Sequence, residues 1–177
     1  IPYDEIANSN MVCDPLRKFH FCSPSEGAAA VVICRADMAS RFTSNPIFLR
    51  ADVFRTRLYG SFETLTPSSA VKDAPSPSVQ ASKAAFEMAG VGPDEIDVAQ
   101  VQDTEAGHEI MHLAECGFCA DGEQEQLVAD GETAIEGRIP INTDGGLLAN
   151  GEPIGASGLR QVHEVCLQLR GRAGKHQ

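Results

Sequence analysis

Asn142–Gln161 reads NTDGGLLANGEPIGASGLRQ, and this stretch decides the fold. A glycine-rich loop, Gly145 to Gly155, runs into a segment with helical periodicity from about Gly155 to Leu169, stopped near Gly171. Glycines at such a junction let the backbone take positive φ and let a ligand approach the main chain. The loop also places many N–H groups near a helix N-terminus, where negative charge is favoured. Taken without its neighbours, it is also compatible with a tight surface connection.

Working outward from that loop, Ala28–Cys34 (AAAVVIC) is a short apolar run after Gly27 whose β-branched content suits a buried strand. Ile47–Arg57 alternates apolar and polar residues as a half-buried strand does. Residues 60–77, rich in Ser, Thr and Pro, read as a surface loop. Ser78 is the expected N-cap of a helix over Val79–Ala89, closed by Gly90. Gly92-Pro93 predicts a turn, Ile96–Val101 a second buried strand, and Glu105–Cys116 a helix ending at Gly117. A short helix is expected over 122–129. Strands alternating with helices define an α/β class. The chain stops just after a helix, where an α/β unit lays down its next strand, and it begins without Met, so it reads as an incomplete fold.

Composition narrows the function. A formal charge of −11 over 177 residues argues against a nucleic-acid partner, which needs clustered Lys and Arg. No apolar run approaches the roughly 20 residues of a membrane span, and no signal peptide is visible. Six cysteines without a regular framework fit a reducing compartment, so the expected location is the cytoplasm.

The whole string around Glu152 resembles the thiolase superfamily, in which NPSGGL is followed by GHPLGATG and a helix; Gly151, Pro153, Gly155, Ala156 and Gly158 hold matching positions. The likeness extends to Gly27–Val32 (the DGAAAVV strand of thiolases), to Gly90–Asp97 (GVGPDEID), and to Leu169-Arg170-Gly171 with Ala173-Gly174-Lys175. Among thiolases it is most similar to the sterol-carrier-protein type, or lipid-transfer proteins. The resemblance implies a thiolase-like layered α/β/α architecture, with this chain as the C-terminal half of a duplicated fold. Residues 1–37 would end the N-terminal half, and 38–177 would form the C-terminal domain, truncated before its last strands. It also implies a coenzyme A thioester as substrate, no covalently bound cofactor, a homodimer or larger oligomer, and a possible small OB-fold partner protein. The family's two catalytic cysteines would lie in the absent segments, and none of the six cysteines here inherits either role.

Two family loops survive, and both depart from the pattern. The Asn-Glu-x-Phe or His-Asp-Cys-Phe loop aligns with Gln102-Asp103-Thr104-Glu105. Gln102 offers an amide donor but no base. The Gly-His-Pro loop reads Gly151-Glu152-Pro153. An ionised Glu152 cannot donate to an oxyanion, yet it can act as a general base. Glu152, Gln102 and Asp103 are therefore the candidate catalytic residues. Gly145, Gly146, Gly151, Pro153 and Gly155 are the candidate substrate-binding positions. Thiolysis, acyl transfer and retro-aldol cleavage of a β-hydroxyacyl-CoA all fit the class; the last needs no cysteine nucleophile, although neither loop carries the tyrosine of the characterised aldolases. A non-catalytic acyl-CoA or sterol-binding subunit is the alternative.

A competing signal is His108-Glu109-Ile110-Met111-His112, an HExxH string that on a helix aligns two imidazoles for zinc, with Glu132 or Glu136 as a third ligand of a hydrolase. In the thiolase alignment this helix has no metal role, so no metal is assigned to the site. Cys116-Gly117-Phe118-Cys119 is a lone CxxC and reads as a turn after a helix; Cys13, Cys22, Cys34 and Cys166 read as core or incidental thiols, and His163 as a packing or interface residue.

Overall fold

The computed structural model describes residues 1–57 and 75–177; most of the expected Ser/Thr/Pro-rich loop, 60–74, lies outside the described residues. The elements are α1 (Tyr3–Ala7), β1 (Met11–Cys13), β2 (Leu16–Arg17), α2 (Pro77–Ala89), α3 (Ala106–Glu115), α4 (Gln124–Ala129), α5 (Gly146–Asn150) and α6 (Ser157–Leu169), with 3-10 turns between them. β1 and β2 form a two-stranded antiparallel ribbon with Met11 opposite Arg17.

Local chemistry sets the helix limits. Ser76, not Ser78, caps α2: its hydroxyl accepts from the Val79 N–H at 3.2 Å, and Pro77 occupies the first turn, where a missing N–H does no harm. α2 closes at Gly90 in the left-handed conformation (φ 71°), as the sequence predicts. Glu105 caps α3 by accepting from the Gly107 N–H at 2.7 Å. The expected 122–129 helix forms as α4, and the C-terminal one as α6.

The core is a cluster of Val101, Leu113, Phe118, Ile139 and Ile141, to which α2 contributes Phe86 and α4 contributes Leu127. It joins the segment before α3, α3 itself and the strand-like segment at 139–142. There Ala99 and Ile141 form a parallel bridge: the Ala99 N–H donates to the Pro140 carbonyl and the Asn142 N–H to the Ala99 carbonyl. This bridge is what the structure has of the strand expected over 96–101.

Two expected strands are absent. Residues 28–34 and 47–57 have no regular structure, with Val32 fully exposed and Ile33, Leu49 and Phe54 largely so. An extended apolar segment becomes a strand only when a neighbour satisfies its backbone groups, and no neighbouring strand flanks either segment among the described residues. α6 is likewise turned so that Ser157, Glu164 and Gln168 are buried, while Leu159, Val162 and Leu169 are exposed.

Candidate active site

Three separate stretches meet at Glu152. The first is 21–25, which runs as an extended strap. Phe21 bridges Glu105, the Cys22 N–H donates to the Thr104 carbonyl at 2.9 Å, and Pro24 bridges Glu152. The second is Val101–Thr104, entering α3. The third is the turn after α5, where Gly151 (φ 77°) reverses the chain. A Cβ at Gly151 would lie 2.8 Å from the Ser25 side chain and 3.0 Å from the Ser23 carbonyl, so only glycine lets the strap pass. The strap then fixes Glu152 through its backbone: its N–H donates to the Ser23 carbonyl at 2.9 Å, and its carbonyl accepts from the Ser25 N–H at 3.3 Å.

The Glu152 side chain is held at both oxygens. Gln102 Nε2 donates to Oε1 at 3.0 Å, and Cys22 Sγ lies 3.8 Å from Oε2 as a thiol donor. All three residues are half-buried. Burial, and then the Glu152 carboxylate, push the Cys22 thiol above its ordinary value of 9.0. Cys22 is thus a proton donor toward the carboxylate rather than a ready nucleophile. Beside Glu152 runs an open groove of about 550 Å³, walled by Pro24, Gly27, Ala28, Pro153, Gly155 and Ala156.

Asp103 points the other way. It is 1% exposed; Oδ1 accepts from the Leu147 N–H at 2.8 Å and Oδ2 from the Leu148 N–H at 3.2 Å. Burial raises its carboxyl above the ordinary 3.8, opposed by those two N–H groups and by Arg160. Asp103 thereby anchors the first turn of α5 to the Gln102 segment. Gly146 (φ 59°) makes this possible, because a Cβ there would meet Asp103 Oδ2 at 2.1 Å. The Gly146 N–H donates to Asp144 Oδ1 at 3.2 Å, and the Gly145 N–H to the Asn142 carbonyl at 2.8 Å. The N–H groups of residues 145–148 therefore all have protein partners, and Gly145 and Gly146 shape the site through close packing. Asp144 is in turn held by Arg160 and by Gln100.

Asn142, with φ 48°, ties the layers together: its Oδ1 accepts from the Val101 N–H at 3.0 Å, and its Nδ2 donates to Glu109 Oε2 at 2.8 Å. This removes Glu109 from the HExxH reading, since its carboxylate is turned toward Asn142 rather than between the imidazoles. Glu132 pairs with Arg138 at 3.7 Å, and no group of three or more His, Cys, Asp or Glu among the described residues is placed to hold a metal. Cys116 and Cys119 are free thiols, both raised mainly by burial, Cys116 to about 11, with Gly117 (φ 80°) making the turn between them. Cys13 and Cys34 are exposed rather than core residues. The contact that sequence reasoning missed is Cys22; its one signal was proximity in sequence to Gly27–Val32, the other stretch that carries the resemblance.

This arrangement defines an α/β chain of the thiolase-like kind, the C-terminal half of that fold. A solved Ltp2–ChsH2(DUF35) aldolase superimposes with a TM-score of 0.79 over 98% of this chain and 44% of that one, at 22% identity. Residues 64–177 match the Thiolase C-terminal domain-like family, and the chain belongs to it. An acetyl-CoA acetyltransferase of Methanothermobacter thermautotrophicus is 40% identical over 180 residues, covering 100% of this chain and 45% of that protein. Sterol carrier protein 2 of Rattus norvegicus is 33% identical over 176 residues, covering 98% of this chain and 32% of that protein. The chain thus spans less than half the length of these relatives. No helix among the described residues is long and apolar enough to cross a membrane.

Proposed function

We propose that this chain supplies the C-terminal half of an enzyme that makes or breaks a C–C bond in a coenzyme A thioester, with Glu152 as its proton-transferring carboxylate. The observation that carries this reading is the Gln102–Glu152 hydrogen bond, 3.0 Å between loops fifty residues apart in sequence, at the edge of a groove. Such a bond leaves Glu152 acceptor capacity for a substrate hydroxyl. In a retro-aldol reaction Glu152 takes the β-hydroxyl proton, the Cα–Cβ bond breaks, a ketone or aldehyde leaves, and the enolate of the shorter acyl-CoA is reprotonated at carbon. Gln102 positions the carboxylate through one amide hydrogen and can turn its other toward a carbonyl oxygen. Asp103 acts indirectly, by fixing α5 and the loop that follows it. The protonated state of Cys22 supports a route without a thiolate from this chain.

Residues 1–37 would close the N-terminal half of the duplicated fold, and a homodimer, or an assembly with a small OB-fold protein, would complete the enzyme. The test is mass-spectrometric detection of acyl-CoA products after incubation with β-hydroxyacyl-CoA, and separately with β-ketoacyl-CoA plus free CoA. Release of a shorter acyl-CoA, reduced roughly 10²–10⁴-fold in Glu152→Gln, supports the proposal. Undiminished turnover by that variant would falsify the assignment. Tight thioester binding with no turnover would make the protein a lipid-carrying subunit instead.

A further inference from the structure

His108 and His112 take no part in the site above. They lie one turn apart on α3, with ring planes 13° from parallel and centroids 6.1 Å apart. On each ring Nδ1 is engaged: His112 Nδ1 sits 2.7 Å from Glu115 Oε2, and His108 Nδ1 sits 3.0 Å from Thr104 Oγ1 and 3.3 Å from Glu105 Oε1. Neither Nε2 has a protein partner among the described residues. A carboxylate that accepts from one imidazole nitrogen leaves the lone pair on the other nitrogen free for a metal, as outer-shell groups do for metal-bound histidines.

We propose that His108 and His112 bind one first-row transition-metal dication of the zinc, nickel or copper class through their Nε2 atoms, with water completing its coordination. Imidazole is the ligand these ions share. Two metal–nitrogen bonds of about 2.0–2.1 Å span at most about 4 Å, so the rings tip toward each other on binding. His108 is the ring that moves: its side chain is 46% exposed and its contacts are the longer ones, whereas His112 is 19% exposed and tightly paired. The charge of −11 favours cation uptake generally, and the helical spacing selects the place. The site is not that of a hydrolase, because Glu109 is bonded to Asn142. An occupying ion would brace the first turn of α3 and, through Thr104, the strap carrying Cys22.

The test is calorimetric titration of the whole chain with Zn²⁺, paired with electron paramagnetic resonance of the Cu²⁺-loaded protein. One ion per chain is expected, with nitrogen hyperfine structure from two imidazoles. His108→Gln and His112→Gln should each weaken binding at least tenfold. His163→Gln, an exposed histidine on α6, should leave it unchanged. Circular dichroism establishes that each variant is folded, and glutamine is a good helix former. Failure to take up the ion, or equal binding by the His108→Gln, His112→Gln double variant, overturns the proposal.

Discussion

Gly146→Ala puts the packing of the site to a direct test. The added methyl carbon would lie 2.1 Å from Asp103 Oδ2 and 2.6 Å from its Cγ, and the backbone there has φ +59°. Left-handed backbone alone penalises a non-glycine residue by about 1–2 kcal/mol. Asp103 must also retreat from the Leu147 and Leu148 N–H groups, each such hydrogen bond to a charged group contributing about 1.5–3 kcal/mol, only part of which is recovered elsewhere. The sum is about 3–5 kcal/mol, a large fraction of the 5–15 kcal/mol typical of a domain. At roughly 2–4 °C per kcal/mol for a chain of this size, the melting temperature should fall by about 10 °C. Gly155→Ala is the internal control: nothing lies within 4 Å of its added carbon and its φ is unexceptional, so it should change stability by less than about 0.5 kcal/mol. Thermal and urea denaturation followed by circular dichroism measure both. A Gly146→Ala protein melting within 2 °C of the parent would refute the claim that Asp103 needs this glycine.

Other expectations follow from the same geometry. Leu113→Ala, at a side chain with no exposed surface in the core, should lower stability by about 2–5 kcal/mol in urea titrations. Burial raises the Glu109 carboxyl above its ordinary value of 4.5, against the opposing Asn142 bond. The folded state therefore holds this proton longer than the unfolded chain does. The stability it contributes is complete below about pH 4.5 and is lost as pH rises through the folded value. Urea midpoints measured from pH 4 upward should show that decline, and Glu109→Gln should make it shallower, leaving the part due to Asp103, which is shifted in the same sense. Cys22 should alkylate slowly at pH 8, and Glu152→Gln should speed it by removing the neighbouring negative charge; peptide mapping by mass spectrometry reads that cysteine apart from the exposed Cys13 and Cys34.

What the sequence discloses and what it hides follows the range of the forces involved. α2, α3, α4 and α6 are legible because helical periodicity is a local signal, joined at α2 and α3 by a capping side chain. Even the error at α2 is local: Ser76 and Ser78 both suit a cap, and Pro77, which fits the first helical position, selects Ser76. The strands expected at 28–34 and 47–57 fail for the opposite reason, since a strand is a property of a pair and the apolar run says nothing about its partner. The candidate site divides similarly. Gln102 and Glu152 were found from loops that resemble thiolase loops, but their mutual hydrogen bond is a fact of three dimensions. The inward turn of Asp103 and the approach of Cys22 arise from contacts that no spacing rule encodes. HExxH shows the reverse hazard, a correct local pattern on a real helix whose glutamate is claimed by a residue thirty-three positions away.

The strap that fixes Glu152 has a consequence for how the protein comes into being. Cys22 and Glu152 are 130 positions apart, and closing a flexible loop of that length costs about 4 kcal/mol of chain entropy before any contact offsets it. Ribosomes adding about 5–20 residues per second deliver Glu152 roughly 7–25 s after Cys22. Throughout that interval the strap has no turn to clasp. The corner around Glu152 therefore assembles only after the core segments between its two halves, Val101 to Ile141, have been made.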